Sequence, residues 1–156
     1  MIFATVGTQL PFPRLMNALA TLVIDLDEPV IAQTGPDPTR YLALDQRETL
    51  APAEFSTLFQ EARIIVAHAG MGTILSARRW HKPLVILPRR HDLGEHRNDH
   101  QLATARHVAD LPGIHVAWED AELAPLLRRQ DLPSADETPG PGRAALIGRL
   151  RDFIAN

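Results

Sequence analysis

Short apolar runs, each closed by a glycine-bearing or polar loop and most followed by a segment of helical periodicity, repeat along most of this 156-residue chain. That alternation constrains the fold more than any other feature. Residues 2–6 form the first run, closed by Gly7 and Thr8, and Pro13 then opens a segment with Leu15, Met16, Leu19, Leu22 and Val23 on one helical face. Residues 29–32 form the second run, closed by Gln33-Thr34-Gly35-Pro36, a turn signal. Pro52 sits where a first helical turn tolerates it, and Phe55, Leu58, Phe59 and Ala62 lead at helical spacing into the dense run 64–67. A small glycine-rich turn over 68–73, a helix over 74–80 and a buried strand over 84–87, stopped by Pro88, continue the order. A helix over 98–109, a strand over 114–118 and a helix over 121–129 complete it. Residues 37–50 carry no clear pattern beyond an extended piece near 41–44.

Parallel strands need crossovers long enough to hold a helix, so this order predicts a parallel sheet covered on both faces, a doubly wound α/β domain over residues 1–132. The length suits one such domain. The Pro- and Gly-bearing stretch 133–142 reads as a linker, and residues 143–156 as an amphipathic helix with Ala145, Leu146, Leu150, Phe153 and Ile154 as its apolar positions. That helix either packs on its own core or reaches toward a partner or a membrane surface.

A net charge of -3 gives no electrostatic reason to expect nucleic acid. The absence of cysteine excludes disulfides and thiolate metal sites. The opening apolar residues have no basic segment before them and are soon interrupted by Gly7, Pro11 and Pro13, so a cytoplasmic protein is expected. No apolar run approaches the roughly 20 residues of a membrane span.

In doubly wound sheets ligands bind beyond the carboxyl ends of the strands, and the unusual residues of this chain fall in those loops. They are Gly7-Thr8-Gln9, Gln33-Thr34-Gly35, His68-Ala69-Gly70-Met71-Gly72-Thr73, and the stretch 88–101. Gly70 and Gly72 leave the backbone open to a ligand, and the following helix aims unpaired N–H groups and its positive dipole end at the same point, which suits a phosphate. Thr73 either caps that helix or places its hydroxyl on the phosphate, and His68 is a candidate donor to it. The plainer alternative is a packed histidine beside a tight turn. Neither a G-x-G-x-x-G on the first loop nor a lysine after Gly72 is present, which disfavours a dinucleotide fingerprint and an NTP-hydrolysing loop. Residues 89–101 gather Arg89, Arg90, His91, His96, Arg97, Asn98, Asp99, His100 and Gln101. Such a stretch suits a diphosphate or carboxylate through arginine, sugar hydroxyls through Asn98, Asp99 and Gln101, or a metal through histidine, and a solvated surface loop is the bland alternative. The histidines have no ligand spacing with a carboxylate, so a metal is the least favoured of these.

Four motifs together resemble the glycosyltransferase family 28 C-terminal domain in its small, stand-alone form: V-G-T-Q after the first strand, A-Q-T-G after the second, A-H-A-G-M-G-T-I in the middle, and K-P-L-V-I-L-P-R-R followed by G-E-H-R-N-D-H-Q. The match covers about residues 1–110. It resembles the catalytic subunits of two-component bacterial exopolysaccharide transferases and the soluble subunit of the eukaryotic dolichol-pathway UDP-GlcNAc transferase. The resemblance implies a Rossmann-like sheet equivalent to the C-terminal half of a GT-B glycosyltransferase. It implies transfer from a UDP-sugar, with inversion, to a lipid-linked saccharide, with a membrane-anchored partner subunit holding the chain at the inner face of the membrane. No cofactor or metal is implied; the UDP-sugar is a co-substrate. The isolated chain is open to forming a homodimer.

Carried over by position, the resemblance puts the diphosphate near Gly7, Thr8 and Gly70 to Thr73, the donor sugar at His100 and Gln101, and uracil against residues 50–52. Gln33 and Thr34 shape the site. The donor-binding set is then Gly7, Thr8, Gln9, Gln33, Thr34, His68, Ala69, Gly70, Met71, Gly72, Thr73, Asn98, His100 and Gln101. Where relatives often carry a glutamate for the ribose this chain has Ser76, and Arg78 and Arg79 on the same helix are unexpected. His91 and His96 are the candidates for a general base, which the partner can equally supply. Arg89 and Arg90 suit either a diphosphate or a sugar carboxylate. Two other functions fit the sequence, a non-catalytic stabilising subunit of a transferase and a sugar-nucleotide epimerase-like domain.

Overall fold

The computed structural model describes residues 1–138 and 143–155, side chains excepted at 143–146. Its centre is a six-stranded sheet in the order β3-β2-β1-β4-β5-β6. The strands are β1 (Ile2–Thr5), β2 (Val30–Gln33), β3 (Asp45–Arg47), β4 (Ile64–Ala67), β5 (Leu84–Ile86) and β6 (Ile114–Val116). Every pairing is parallel, with Ile2 opposite Val30 on one side and Ile64 on the other. The helices are α1 (Pro13–Leu22), α2 (Pro52–Glu61), α3 (Met71–Arg79), α4 (His100–Val108), α5 (Leu123–Arg128) and α6 (Arg143–Ala155). The expected doubly wound, Rossmann-like α/β fold is what the chain forms.

The strands alternate strictly between two cores, as their period of two requires. Ile2, Ala4, Ile64, Val66 and Val85 join Leu15, Met16 and Leu19 of α1 and Leu123 and Leu127 of α5. Phe3, Ile65, Ala67, Leu84 and Ile86 join Phe59 of α2, Ile74 and Ala77 of α3, and Ala105 and Val108 of α4. Because both faces are covered, β4 and β5 are apolar throughout, and β1 is apolar up to its last residue, Thr5. The strand order reverses direction between β1 and β4, so the loops after these two strands diverge and leave a crevice at the carboxyl edge of the sheet.

Three boundaries depart from the sequence. The extended piece expected near 41–44 is a turn whose Tyr41 and Leu44 plug the core, and β3 follows it with the polar residues Asp45 to Arg47. α3 begins at Met71 with Gly70 as its N-cap, so Gly72 and Thr73 lie in its first turn and Thr73 is not the cap. Part of the stretch 133–142 is not a free linker: Ala135 is fully buried, its N–H donates to the Lys82 carbonyl at 3.0 Å, and His115 Nε2 meets the Pro133 carbonyl at 3.2 Å. Arg78 clamps the same segment, donating to the carbonyls of Asp136 at 2.9 Å and Thr138 at 3.1 Å. Residues 139–142 lie outside the described residues, as do the side chains of Ala145 and Leu146, which the sequence assigns to the apolar face of α6.

Gly113 makes this docking possible. It has φ +74°, and a Cβ there would stand 2.0 Å from the Ala135 nitrogen. Gly113→Ala is therefore expected to cost about 3 kcal/mol, from a left-handed alanine plus a steric clash with backbone that must shift. Thermal unfolding should fall by on the order of 10 °C. An unchanged melting temperature would show that residues 134 and 135 do not lie against this turn.

Candidate functional site

The crevice at the sheet's carboxyl edge holds two cavities that share Gly7, Thr8 and His68. The larger, about 470 Å³, is lined by Thr5, Gln33, Leu50, Pro52, Phe55, Gly70, Gly72, Thr73 and Ser76 besides the shared residues. The smaller, about 250 Å³, adds Gln9, Leu10, Arg89, His96 and Gln101. A groove of about 920 Å³ opens beside them, between the start of α1 and residues 93–97. The groove is the largest of the three, but the titratable side chain that lines both cavities is His68.

His68 follows the last residue of β4, and its ring lies against two glycines. A Cβ on Gly70 would come within 2.6 Å of His68 Nε2, and one on Gly7 within 3.4 Å. Any side chain at position 70 would displace the ring. Burial, with the charges of Arg89 and His96 beside it, pushes the imidazole down to about 4, so His68 is neutral at physiological pH. Gln101 Nε2 lies 2.9 Å from His68 Nδ1.

Below His68, α3 opens with no side-chain cap. The N–H groups of its first turn have no intrahelical acceptors, and the helix dipole adds partial positive charge at the same point. Gly72 and Thr73 of that turn line the larger cavity. An oxyanion seated there meets backbone donors, the Thr73 hydroxyl and the histidine in one place. The wall across the cavity is apolar, formed by Leu50, Pro52 and Phe55, with Phe55 held edge-on against Phe3 at 5.4 Å between centroids. Leu50 and Pro52 stand where the resemblance put the nucleobase. Phe55 has helical spacing like any core residue, and nothing in the sequence separates it from Phe59.

Of the remaining candidates, Thr8 and Gln9 are exposed in the loop after β1 and line the cavities. Gln33 is 3% exposed and accepts from the Thr5 hydroxyl at 2.8 Å. Thr34 is fully buried, with its hydroxyl 3.3 Å from the Gly35 carbonyl, and shapes the loop from below. Ala69 is buried, Met71 packs on the core beside α6, and Ser76 lines the cavity without a carboxylate to offer a ribose. His100 stands away from both cavities, exposed, with its ring 5.9 Å from that of Phe153 on α6.

Arg89 and Arg90 are already engaged. Arg89 is 2% exposed and donates to the carbonyls of Val6 at 3.0 Å, Leu10 at 2.7 Å and Pro11 at 2.7 Å, above the Phe12 ring at 4.7 Å. Burial brings it down to about 10, opposed by Glu95, and it stays charged. Arg90 pairs with Asp92 and Glu119. Arg14 grips Glu95 through Nε and Nη2, and Glu95 in turn accepts from the Arg90 N–H. These contacts tie the loop after β1 to the loop after β5. The sequence does not show them, because a charged residue is read as exposed unless its partners are known.

Asn98 Oδ1 accepts the His100 N–H at 3.1 Å, which fixes the amide orientation, and it lies 3.1 Å from His96 Nδ1. When the His96 ring is neutral, Nδ1 therefore carries its proton and Nε2 is the acceptor, and the ring lines both the groove and the smaller cavity. His91 is exposed, with Nδ1 3.1 Å from the His96 carbonyl. Among the described residues, no group of three or more His, Asp or Glu side chains is arranged to hold a metal ion. Among them also, no helix is long and apolar enough to cross a membrane.

The family model of the glycosyltransferase family 28 C-terminal domain matches residues 1–124. Comparison with curated proteins finds no match. Among solved structures the chain is similar to MurG of Acinetobacter baumannii, with TM-score 0.59 and 19% identity over 84% of this chain and 42% of that one. The NMR structure of ALG13 gives TM-score 0.59 and 16% identity, over 99% of this chain and 96% of that one. UDP-GlcNAc 2-epimerase from Neisseria meningitidis, bound to UDP-GlcNAc, gives TM-score 0.59 and 11% identity over 99% and 44%. At these identities the likeness is one of fold, and the chain spans less than half of the MurG and epimerase chains.

Proposed function

The chain belongs to the glycosyltransferase family 28 C-terminal domain family, and we propose that it is the donor-binding subunit of a GT-B transferase that uses a UDP-sugar. The observation that carries this is the meeting of the uncapped start of α3, two glycines and a neutral histidine at the switch point of a parallel sheet. That arrangement suits a diphosphate, and the apolar wall of Leu50, Pro52 and Phe55 suits a planar base at one end of it.

In this proposal the diphosphate lies against the first turn of α3, His68 and the Gly7 loop. The sugar extends toward Gln9 and His96, and the acceptor arrives along the groove between Pro13 and Leu93. The acceptor oxygen bonds to the anomeric carbon as the bond from that carbon to the UDP oxygen breaks. The proton passes to His96 Nε2, the better placed of the two candidate bases, and attack from the face opposite UDP inverts the centre. The leaving diphosphate gains charge where the helix N-terminus already points and His68 already lies, so the site stabilises the transition state without rearranging. Arg89 and Arg90, held by Val6, Leu10, Pro11, Asp92 and Glu119, offer no free grip for a sugar carboxylate.

One Rossmann-like unit supplies one wall of a GT-B cleft. We assign the other wall, and the lipid-linked saccharide acceptor, to a membrane-anchored partner subunit, which would place the chain at the cytoplasmic face of the membrane in exopolysaccharide synthesis. Incubating the chain and partner-containing membranes with radiolabelled UDP-sugars tests this. Label should enter the lipid fraction with one UDP released per sugar transferred. Conversion of the sugar with no release of UDP would favour an epimerase instead, and no turnover together with no UDP binding would leave a stabilising subunit.

A further inference from the structure

We propose that Gln101 is a positioning residue whose side-chain amide fixes His68 in the tautomer that donates from Nε2 into the diphosphate site, and that it is not a contact to the donor sugar. The inference rests on the donor-site function proposed above and deepens it.

The amide orientation follows from its surroundings. Gln101 Oε1 accepts the Ala69 N–H at 3.1 Å and the Arg89 N–H at 3.0 Å. Flipping the amide would set its NH₂ against two backbone donors, so the oxygen stays where it is. Nε2 then faces His68 Nδ1 at 2.9 Å as a donor. A donor opposite Nδ1 requires a lone pair there, and in a neutral imidazole the proton must then sit on Nε2. That is the atom beside Gly70 and Gly7, at the junction of the two cavities. Gln101 is 8% exposed, with its carbonyl oxygen doubly engaged and one amide hydrogen on the histidine. It thus joins the ends of β4 and β5 while setting the polarity of the histidine between them.

Gln101→Glu isolates this role. The carboxylate keeps an oxygen for the Ala69 and Arg89 N–H groups and turns the atom facing His68 Nδ1 from a donor into an acceptor. Nδ1 must then carry a proton. His68 either presents a lone pair to the diphosphate or becomes an imidazolium that still donates from Nε2. The charged or titratable groups facing the ring, Arg89 from the end of β5 and His96 from the loop beyond it, both oppose the cation, and the new carboxylate favours it. UDP affinity of the variant should therefore fall as pH rises through the new titration of His68.

The experiment measures UDP affinity of wild type and Gln101→Glu by calorimetry from pH 5.5 to 8.5, with UDP itself as the probe. The ratio of the two dissociation constants cancels the titration of the UDP phosphate. That ratio should grow by up to about tenfold per pH unit on the alkaline side and return to near unity at pH 5.5. In parallel, long-range ¹⁵N–¹H NMR of the wild-type imidazole should show a neutral ring protonated on Nε2. An Nδ1-protonated ring in the wild type would overturn the proposal, as would a pH-independent ratio or a loss confined to UDP-sugars and absent for UDP. Failure of the wild type to bind UDP would instead defeat the donor-site function, and the tautomer spectrum would still decide the part played by Gln101.

Discussion

Gly72→Trp is expected to abolish UDP binding while leaving the domain folded. Position 72 lies in the first turn of α3, exposed, and a Cβ built there meets nothing within 4 Å. Glycine is also the poorest ordinary residue inside a helix, worse than alanine by about 1 kcal/mol. Replacing it removes that penalty without touching the core. The indole would occupy the larger cavity, about 470 Å³ when empty, and cover the N–H groups of the first turn. The dissociation constant for UDP should rise by more than about 100-fold, which corresponds to roughly 2.7 kcal/mol, with the melting temperature unchanged or slightly raised. Gly72→Ala serves as its control and should raise the melting temperature by about 2–4 °C. A tryptophan variant that binds UDP as wild type does would move the nucleotide out of this cavity.

Arg89→Met should be the most damaging single change to the site's framework. Methionine retains the apolar stem over Phe12 but removes the donors to the carbonyls of Val6, Leu10 and Pro11. Each lost bond is one to a charged group, worth about 1.5–3 kcal/mol, and water can recover part of it once the loop opens. A net cost of about 3–5 kcal/mol follows, with a fall in melting temperature on the order of 10 °C. The released segment carries Gly7 and Thr8, so UDP affinity should also drop at temperatures where the variant is still folded. If Arg89 instead gripped a carboxylate of the donor, the variant would keep the wild-type melting temperature and lose affinity only for acidic UDP-sugars.

The parallel sheet is legible in the sequence because its strands are apolar runs and the crossovers between them keep helical spacing. β3 is not, because Asp45-Gln46-Arg47 is a polar edge strand and the apolar residues before it, Tyr41 and Leu44, serve as plugs. The start of α3 was hidden by Gly72, whose low helix propensity argues for a loop, although a first turn tolerates it. The glycine loop points to the proposed phosphate site for a local reason, the exposure of backbone N–H groups. Its partners are long-range: Gln101 meets His68 across 33 residues and Arg89 meets Val6 across 83. Arg89 and Arg90 are adjacent and identical in kind, yet one is buried beneath the loop after β1 and the other pairs with surface carboxylates. Only the packing of two loops against each other separates them. The resemblance assigns His100 to the donor sugar, and the start of α4 sets its ring against Phe153, a contact between residues 53 positions apart that the motif does not show.

The proposed donor site lies within this chain, so the most direct measurement is a calorimetric titration of the purified chain alone with UDP near pH 7. The expected result is one saturable site per chain, with a dissociation constant in about the micromolar to millimolar range common for enzyme substrates, lost in Gly72→Trp. No binding of UDP by a folded wild-type chain, or undiminished binding by Gly72→Trp, would contradict it.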